Sequence, residues 1–117
     1  MHMLEWNLYR GQLIAGVGEL AKLSPDTVKG YVTLSGAGQR TDHLDAKTRE
    51  LISLGVAITL RCDGCIVAHV EAARKLGASR EEIAEALGVA VTMNAGAAVV
   101  YATRTLDAFA AASEVQP

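Results

Sequence analysis

The sequence predicts an all-α fold, and three observations carry that expectation. Half of the 117 residues are apolar but only 4% are aromatic, so the apolar mass is Ala, Val, Leu and Ile mixed with 11 Gly. That balance suits helices that approach closely better than a sandwich with bulky fillers. Helix-boundary signals are strong at Ser24-Pro25, Gly77 and Ser79-Arg-Glu-Glu82, whereas strand signals are weak. A chain of this length supports one modest core. The expectation is a single helical domain over residues 1–117, with about six helices.

The first segment, about Leu4 to Lys22, is amphipathic. Ser24-Pro25 reads as an N-cap with proline at the first helical position, opening a second helix to about Ser35. Gly36–His43 is polar and glycine-containing, and reads as a loop. Asp45 caps a third helix, which runs to about Arg61 and carries Glu50 in its second turn. Its centre, Leu51–Ile58, is apolar almost all round, which predicts burial on most sides. Asp63-Gly64 supplies a turn, and a fourth helix runs from about the cysteine pair to Leu76, with Gly77 as its stop. Ser79–Glu82 has the capping-box pattern and starts a fifth helix. A break near Asn94–Gly96 separates that helix from a sixth, ending near Ala112. Ala84, Gly88, Thr92 and Gly96 lie four apart and form a ridge of small residues, which admits a neighbouring backbone within or between subunits.

Charge and composition narrow the function classes. Eleven Lys and Arg against 13 Asp and Glu give a net charge of -2, with no basic run, so nucleic acid is not an expected partner. No secretory pattern is visible: the apolar stretch Leu13–Val17 is short and soon followed by Glu19 and Lys22. A cytoplasmic location is expected, where neighbouring cysteines rest in the reduced state. Ala86–Thr103 carries no charge over 18 residues, close to membrane-spanning length. Its Ala, Gly, Val and Thr content and Asn94 point instead to a tightly packed core helix pair, and no membrane association is expected.

Both cysteines fall in one motif, Cys62-Asp-Gly-Cys65, with His69 four residues on. On a helix, Cys62, Cys65, Ile66, Ala73 and Leu76 share one face with His69 among them, while Glu71, Arg74 and Lys75 lie opposite. A thiol pair at this spacing can close and reopen a disulfide, and the imidazole can hold the proton that this chemistry moves. Burial raises a thiol pKa, whereas a helix N-terminus and an imidazolium lower it. Cys65 is the nearer partner of His69, at i+4, and is the expected reactive thiol. Cys62, nearer the helix start and expected to be the more exposed, would resolve the intermediate or accept an incoming dithiol.

Other readings of these residues stay open. A structural disulfide in so small a ring would stabilise by roughly 2 kcal/mol before strain, a poor staple in a reducing compartment. Zinc would find three ligands in Cys62, Cys65 and His69, but the other histidines are His2 and His43, and there is no second Cys-x-x-Cys. The three residues could also be plain core residues. Glu50 by spacing alone would meet the helix dipole or solvent.

Glu50, Cys62-x-x-Cys65 twelve residues on, and His69, set within Arg49-Glu-Leu-Ile-Ser-Leu and before Ala72-Ala-Arg-Lys-Leu-Gly77, resemble the AhpD-like alkylhydroperoxidase branch of the carboxymuconolactone decarboxylase family. The resemblance covers about Asp45 to Ala111. It implies an all-helical subunit assembled as a trimer or hexamer, reducing a small hydroperoxide or exchanging dithiols without a bound metal or other cofactor. By position it implies that Glu50 and His69 form a proton relay, that Cys65 attacks peroxide as a thiolate, and that Cys62 closes the disulfide. It also implies an external dithiol donor of lipoyl or thioredoxin type, with a lipoyl protein or a peroxiredoxin as partner. The chain departs from AhpD at Gly64, where AhpD has a second histidine. The lactone decarboxylases generally lack the cysteine pair. Its presence here argues against that reaction, and two alternatives stand beside the hydroperoxidase: a cofactor-free lyase, and a non-catalytic oligomer whose thiols sense redox state.

Overall fold

The structure, a computed structural model, describes residues 1–115. Its elements are α1 (Trp6–Leu23), α2 (Pro25–Ser35), α3 (Ala37–Thr41), α4 (Ala46–Leu60), α5 (Asp63–Lys75) and α6 (Arg80–Ser113). No strand occurs among the described residues. The all-α expectation holds.

Most helix ends follow the local chemistry. Asp45 caps α4 by accepting the backbone N–H of Thr48 at 2.7 Å. Ser79 and Glu82 form the reciprocal capping box of α6, each bond 3.0 Å long. Gly77 adopts φ +85° after α5, and the N–H groups of Gly77 and Ala78 donate to the carbonyls of Arg74 and Ala73, both at 3.0 Å. That is a Schellman ending, which needs a left-handed residue where Gly77 stands. Pro25 opens α2, but the Ser24 hydroxyl pairs with Thr27 Oγ1 at 2.6 Å rather than with a backbone N–H.

Several expectations are corrected. The stretch Gly36–His43 is not all loop, because α3 forms inside it. Two arginines hold it, one within the stretch and one on α4. Arg40 donates to the Thr33 carbonyl at 2.6 Å, and Arg49 of α4 donates to the Leu44 carbonyl and lies 3.4 Å from Asp42. The break near Asn94–Gly96 is absent, and α6 is one helix of 34 residues, about 51 Å long. Asn94 ties it down instead, donating to Thr59 Oγ1 of α4 at 2.8 Å and to the Ala90 carbonyl at 2.7 Å. Finally, α4 is not buried on most sides. Leu54 and Ala57 are enclosed, but Ile52 and Val56 are each 52% exposed.

The enclosed core is small: Leu54 and Ala57 from α4, with Val67 and Ala73 from α5. α4 lies between α5 and α6, while α1 packs on α2 and α5. Gly55 lets α6 approach, with Ala90 Cβ 3.5 Å from where a Gly55 Cβ would be. The small-residue ridge meets nothing, since no atom lies within 4 Å of a Cβ built on Gly88 or Gly96. The second half of α6 runs past the rest of the chain, and every residue from Val91 to Ser113 is exposed. This helix is long and apolar enough to cross a membrane by length and composition, and none of its apolar window is buried, so it is not a core helix pair. The radius of gyration is 19.7 Å, against about 13 Å for a self-contained domain of this length.

Candidate active site

The site is built where α4 ends and α5 begins. α4 closes with Arg61 in the left-handed region, φ 54°. The N–H groups of Arg61 and Cys62 donate to Ile58 and Ala57 carbonyls, at 3.3 and 3.1 Å. Cys62 is at once the last residue of that Schellman ending and the N-cap of α5. Two residues therefore make the whole elbow. Cys62 Sγ accepts the Cys65 N–H at 3.2 Å. Cys62 and Cys65 are joined in a disulfide, with Cα atoms 5.2 Å apart.

Glu50 comes to this elbow because it shares a face of α4 with Leu54 and Ala57, at i, i+4 and i+7. Those two residues are the enclosed ones, so Glu50 is turned toward α5 with them. Its Oε2 lies 2.5 Å from His69 Nδ1, the side chains 22% and 33% exposed. The expectation that Glu50 meets only dipole or solvent is thereby set aside. A carboxylate on Nδ1 fixes the ring orientation and leaves Nε2 as the nitrogen free to exchange a proton. His69 lies one turn beyond Cys65 on the same helix. Both sulfurs thus have a group that would stabilise a thiolate: the α5 N-terminus for Cys62 and the imidazole for Cys65. The fold does not make Cys62 the freer residue, because the elbow holds both cysteines half-buried. Leu76, expected on the inward face, is 46% exposed.

Charged groups brace the surrounding helices. Lys47 of α4 meets Glu82 of α6 at 2.7 Å. The hydrogen bond from Lys47 holds the Glu82 carboxyl below its ordinary range and raises the ammonium. Glu71 is held low by the Arg74 guanidinium at 2.9 Å, with Lys75 at 3.7 Å and Arg10 of α1 at 3.9 Å adding to it. Among the described residues, no three His, Cys, Asp or Glu side chains are grouped to hold a metal ion.

α1 reaches the same elbow. A Cβ built on Gly64 would lie 3.1 Å from Leu13 Cδ2 and 3.7 Å from Tyr9 Oη. Position 64 is therefore filled from outside by α1. Sequence reading did not bring Tyr9 or Leu13 to Gly64. The available signal was the stripe Trp6, Tyr9, Arg10 and Leu13, which is the half-buried side of the first turns of α1.

The model of the carboxymuconolactone decarboxylase family matches residues 25–108, most of the chain. The chain belongs to this family. The match begins at α2, ahead of the stretch from Asp45 that carries the motif resemblance. An uncharacterized protein from Haemophilus influenzae is 45% identical over 105 residues, covering 90% of this chain and 93% of the relative. The uncharacterized protein 4 in the cox locus of Paracoccus denitrificans is 37% identical over 92 residues, covering 79% and 83%. The crystal structure of an apo carboxymuconolactone decarboxylase family protein from Legionella pneumophila is similar at TM-score 0.72 and 34% identity, covering 90% of this chain and 94% of that one. The AhpD-like superfamily fits this family member's sequence and fold, and its relatives in the family are often enzymes of decarboxylase or peroxidase-like type.

Proposed function

We propose that this family member is a thiol-dependent hydroperoxidase or dithiol–disulfide oxidoreductase, with Cys65, Cys62, His69 and Glu50 as its working residues. The observation that carries this reading is the 2.5 Å contact between Glu50 Oε2 and His69 Nδ1, one helical turn from a cysteine pair that can bond. His69 takes the Cys65 thiol proton, while Glu50 stabilises the imidazolium. The thiolate attacks the terminal oxygen of a small hydroperoxide. The O–O bond breaks, Cys65 becomes a sulfenic acid, and the alkoxide leaves as alcohol with the proton from His69. The Cys62 thiol then attacks the Cys65 sulfur, closing the disulfide and releasing water. An external dithiol of lipoyl or thioredoxin type returns two electrons and two protons and leaves as a disulfide. A lipoyl protein or a peroxiredoxin would be the partner, and no step calls on a bound cofactor.

Subunit association belongs to the same proposal. An apolar groove of about 540 Å³ runs between α4 and α6, lined by Leu51, Ile52, Val56, Val89 and Met93 among others. Farther along α6, Val99, Val100, Leu106 and Phe109 are 64–73% exposed. So much bare apolar surface around so small a core favours a homo-oligomer, trimer or hexamer, in the cytoplasm over a monomer or a membrane anchor.

The test is consumption of hydroperoxide with a dithiol donor. Wild type should turn over and lose two thiols per subunit when no donor is present. Cys65→Ser should abolish turnover, and Cys62→Ser should leave Cys65 as a sulfenic acid or mixed disulfide by mass. Unchanged consumption in Cys65→Ser would sink the assignment. Turnover of a small lactone acid that survives loss of both cysteines would favour a lyase instead. Stoichiometric oxidation without turnover under every donor would favour a redox sensor.

A further inference from the structure

Two apolar patches of this chain are bare, one concave and one convex. The first is the groove between α4 and α6, whose walls include Ile52, Val56, Leu60, Val89 and Met93 and carry no charge. The second is the far half of α6. Val99, Ala102, Leu106 and Phe109 recur there at i, i+3, i+7 and i+10, and so form one exposed stripe. Arg104, stacked over Tyr101 at 4.8 Å, and Asp107 are the only charges between Val91 and Ser113, and both fall off that stripe. An apolar helix face and an apolar groove are the two halves of a recurring docking mode. The arm cannot enter its own groove: α6 is unbroken, and Val99 and Phe109 lie about 9 and 24 Å past Met93 along its axis. Area decides how much must be covered. The chain exposes 9322 Å², whereas a compact monomer of its mass exposes about 6,100 Å². The excess, about 3,200 Å² per subunit, falls within the roughly 2,000–5,000 Å² that one obligate interface buries in total.

We propose that the α4–α6 groove of one subunit holds the far half of α6 from a second copy of this chain, with Val99, Leu106 and Phe109 as its anchors. The inference deepens the subunit association proposed above and rests on it. Every subunit carries both halves, so each gives one arm and receives one. One joint per subunit then covers both patches. A lipid surface would cover the arm and leave the groove bare, and so would pairing one arm with another. Seating the stripe in the groove takes apolar surface out of water on both sides at once. Arg104 and Asp107, off the stripe, keep their charges toward solvent. The groove uses the side of α4 that the thiol site does not. Glu50, Leu54 and Ala57 turn toward α5, whereas Ile52, Val56 and Leu60 line the groove. The arm therefore seats on the back of the helix that carries Glu50.

Two experiments on the full chain test the joint. The first introduces a photoreactive side chain, Phe109→p-benzoylphenylalanine, and irradiates a mixture of isotope-labelled and unlabelled protein. Mass spectrometry should find mixed-isotope cross-links from the arm to the Leu51–Leu60 or Val89–Met93 stretch. Cross-links only to the arm of another copy, or none between copies, would overturn the proposal. The second uses sedimentation on Val89→Glu, which puts a charge in the groove, and Phe109→Glu, which puts one on the arm. Each alone should associate roughly thirty-fold more weakly than wild type. Mixed together, the intact groove of Phe109→Glu accepts the intact arm of Val89→Glu, and a mixed dimer should form. Its absence from two variants with wild-type helical circular dichroism would overturn the joint. Val56→Glu on α4 takes the place of Val89→Glu if that variant loses its helical signal. Wild type that associates but fails both experiments would overturn the joint alone. Wild type that stays monomeric would overturn the association reading and the joint with it.

Discussion

The α4–α5 elbow and the far half of α6 contrast sharply. At the elbow, few residues do many things: Cys62 ends one helix, caps the next and bonds to Cys65, while Glu50 and His69 meet across the two helices. All four enclosed residues lie on those two helices. In the far half of α6, more than twenty consecutive residues, from Val91 to Ser113, are exposed, including Phe109 at 73%. The difference teaches that this chain gathers its candidate site within one subunit but does not complete its burial there. Apolar surface of that extent is favourable only when something covers it.

The largest expected effect lies at the elbow. Leu54, 2% exposed, packs on the face that also turns Glu50 toward His69. Leu54→Ala should cost about 2–5 kcal/mol in denaturant unfolding, and a cost near zero would break the idea that this face organises the site. Next comes the arm. Phe109→Glu should weaken subunit association by roughly thirty-fold or more in sedimentation. It should leave far-UV circular dichroism and thiol alkylation near wild type. A stable wild-type monomer, or a Phe109→Glu variant that unfolds, would erase the contrast.

Smaller effects sharpen the picture of the elbow itself. Arg61 holds φ 54° without being glycine, so Arg61→Gly should stabilise by about 1 kcal/mol. A loss of stability there would mean that the arginine side chain outweighs the backbone strain. The smallest effect concerns pH at Asp45. The hydrogen bonds from Thr48 hold its carboxyl below the ordinary aspartate range. Asp45 should therefore contribute stability above the unfolded-chain value and lose it as pH falls through the lower folded value. Asp45→Asn should flatten the acid limb of the stability profile slightly, and an unchanged limb would remove the cap from the account.

Boundaries set by a single residue's chemistry were legible in the sequence. Asp45, Ser79 with Glu82, Pro25 and Gly77 all stand where their local hydrogen bonding or backbone freedom places a helix end. What depends on distant partners was not legible. α3 is held by its own Arg40, which reaches back to Thr33, and by Arg49 reaching over from α4, close enough that a Cβ on Gly38 would lie 2.6 Å from Arg49 Cδ. The expected break in α6 fails for the same reason: Asn94, a helix-breaking signal in isolation, finds Thr59 on α4. Gly96 costs about 1 kcal/mol within a helix, and the helix runs through it.

The candidate site divides the same way. Helix periodicity placed His69 beside Cys65, but nothing local brought in Glu50, nineteen residues from His69; the family resemblance did. The cap made by Cys62 Sγ follows from its position at the elbow, which depends on Arg61 adopting a left-handed conformation. The packing of α1 against the elbow was invisible because it depends on the absence of a side chain at Gly64.

The central claim is that Glu50 acts on the thiols through His69, and one measurement meets it directly: the pH dependence of Cys65 alkylation in the Cys62→Ser background, with and without Glu50→Gln and His69→Gln. The account predicts that each relay substitution raises the alkylation midpoint, and that the double variant rises no further than His69→Gln alone, since Glu50 works through the imidazole. Midpoints that stay at the Cys62→Ser value, or two shifts that simply add, would contradict it.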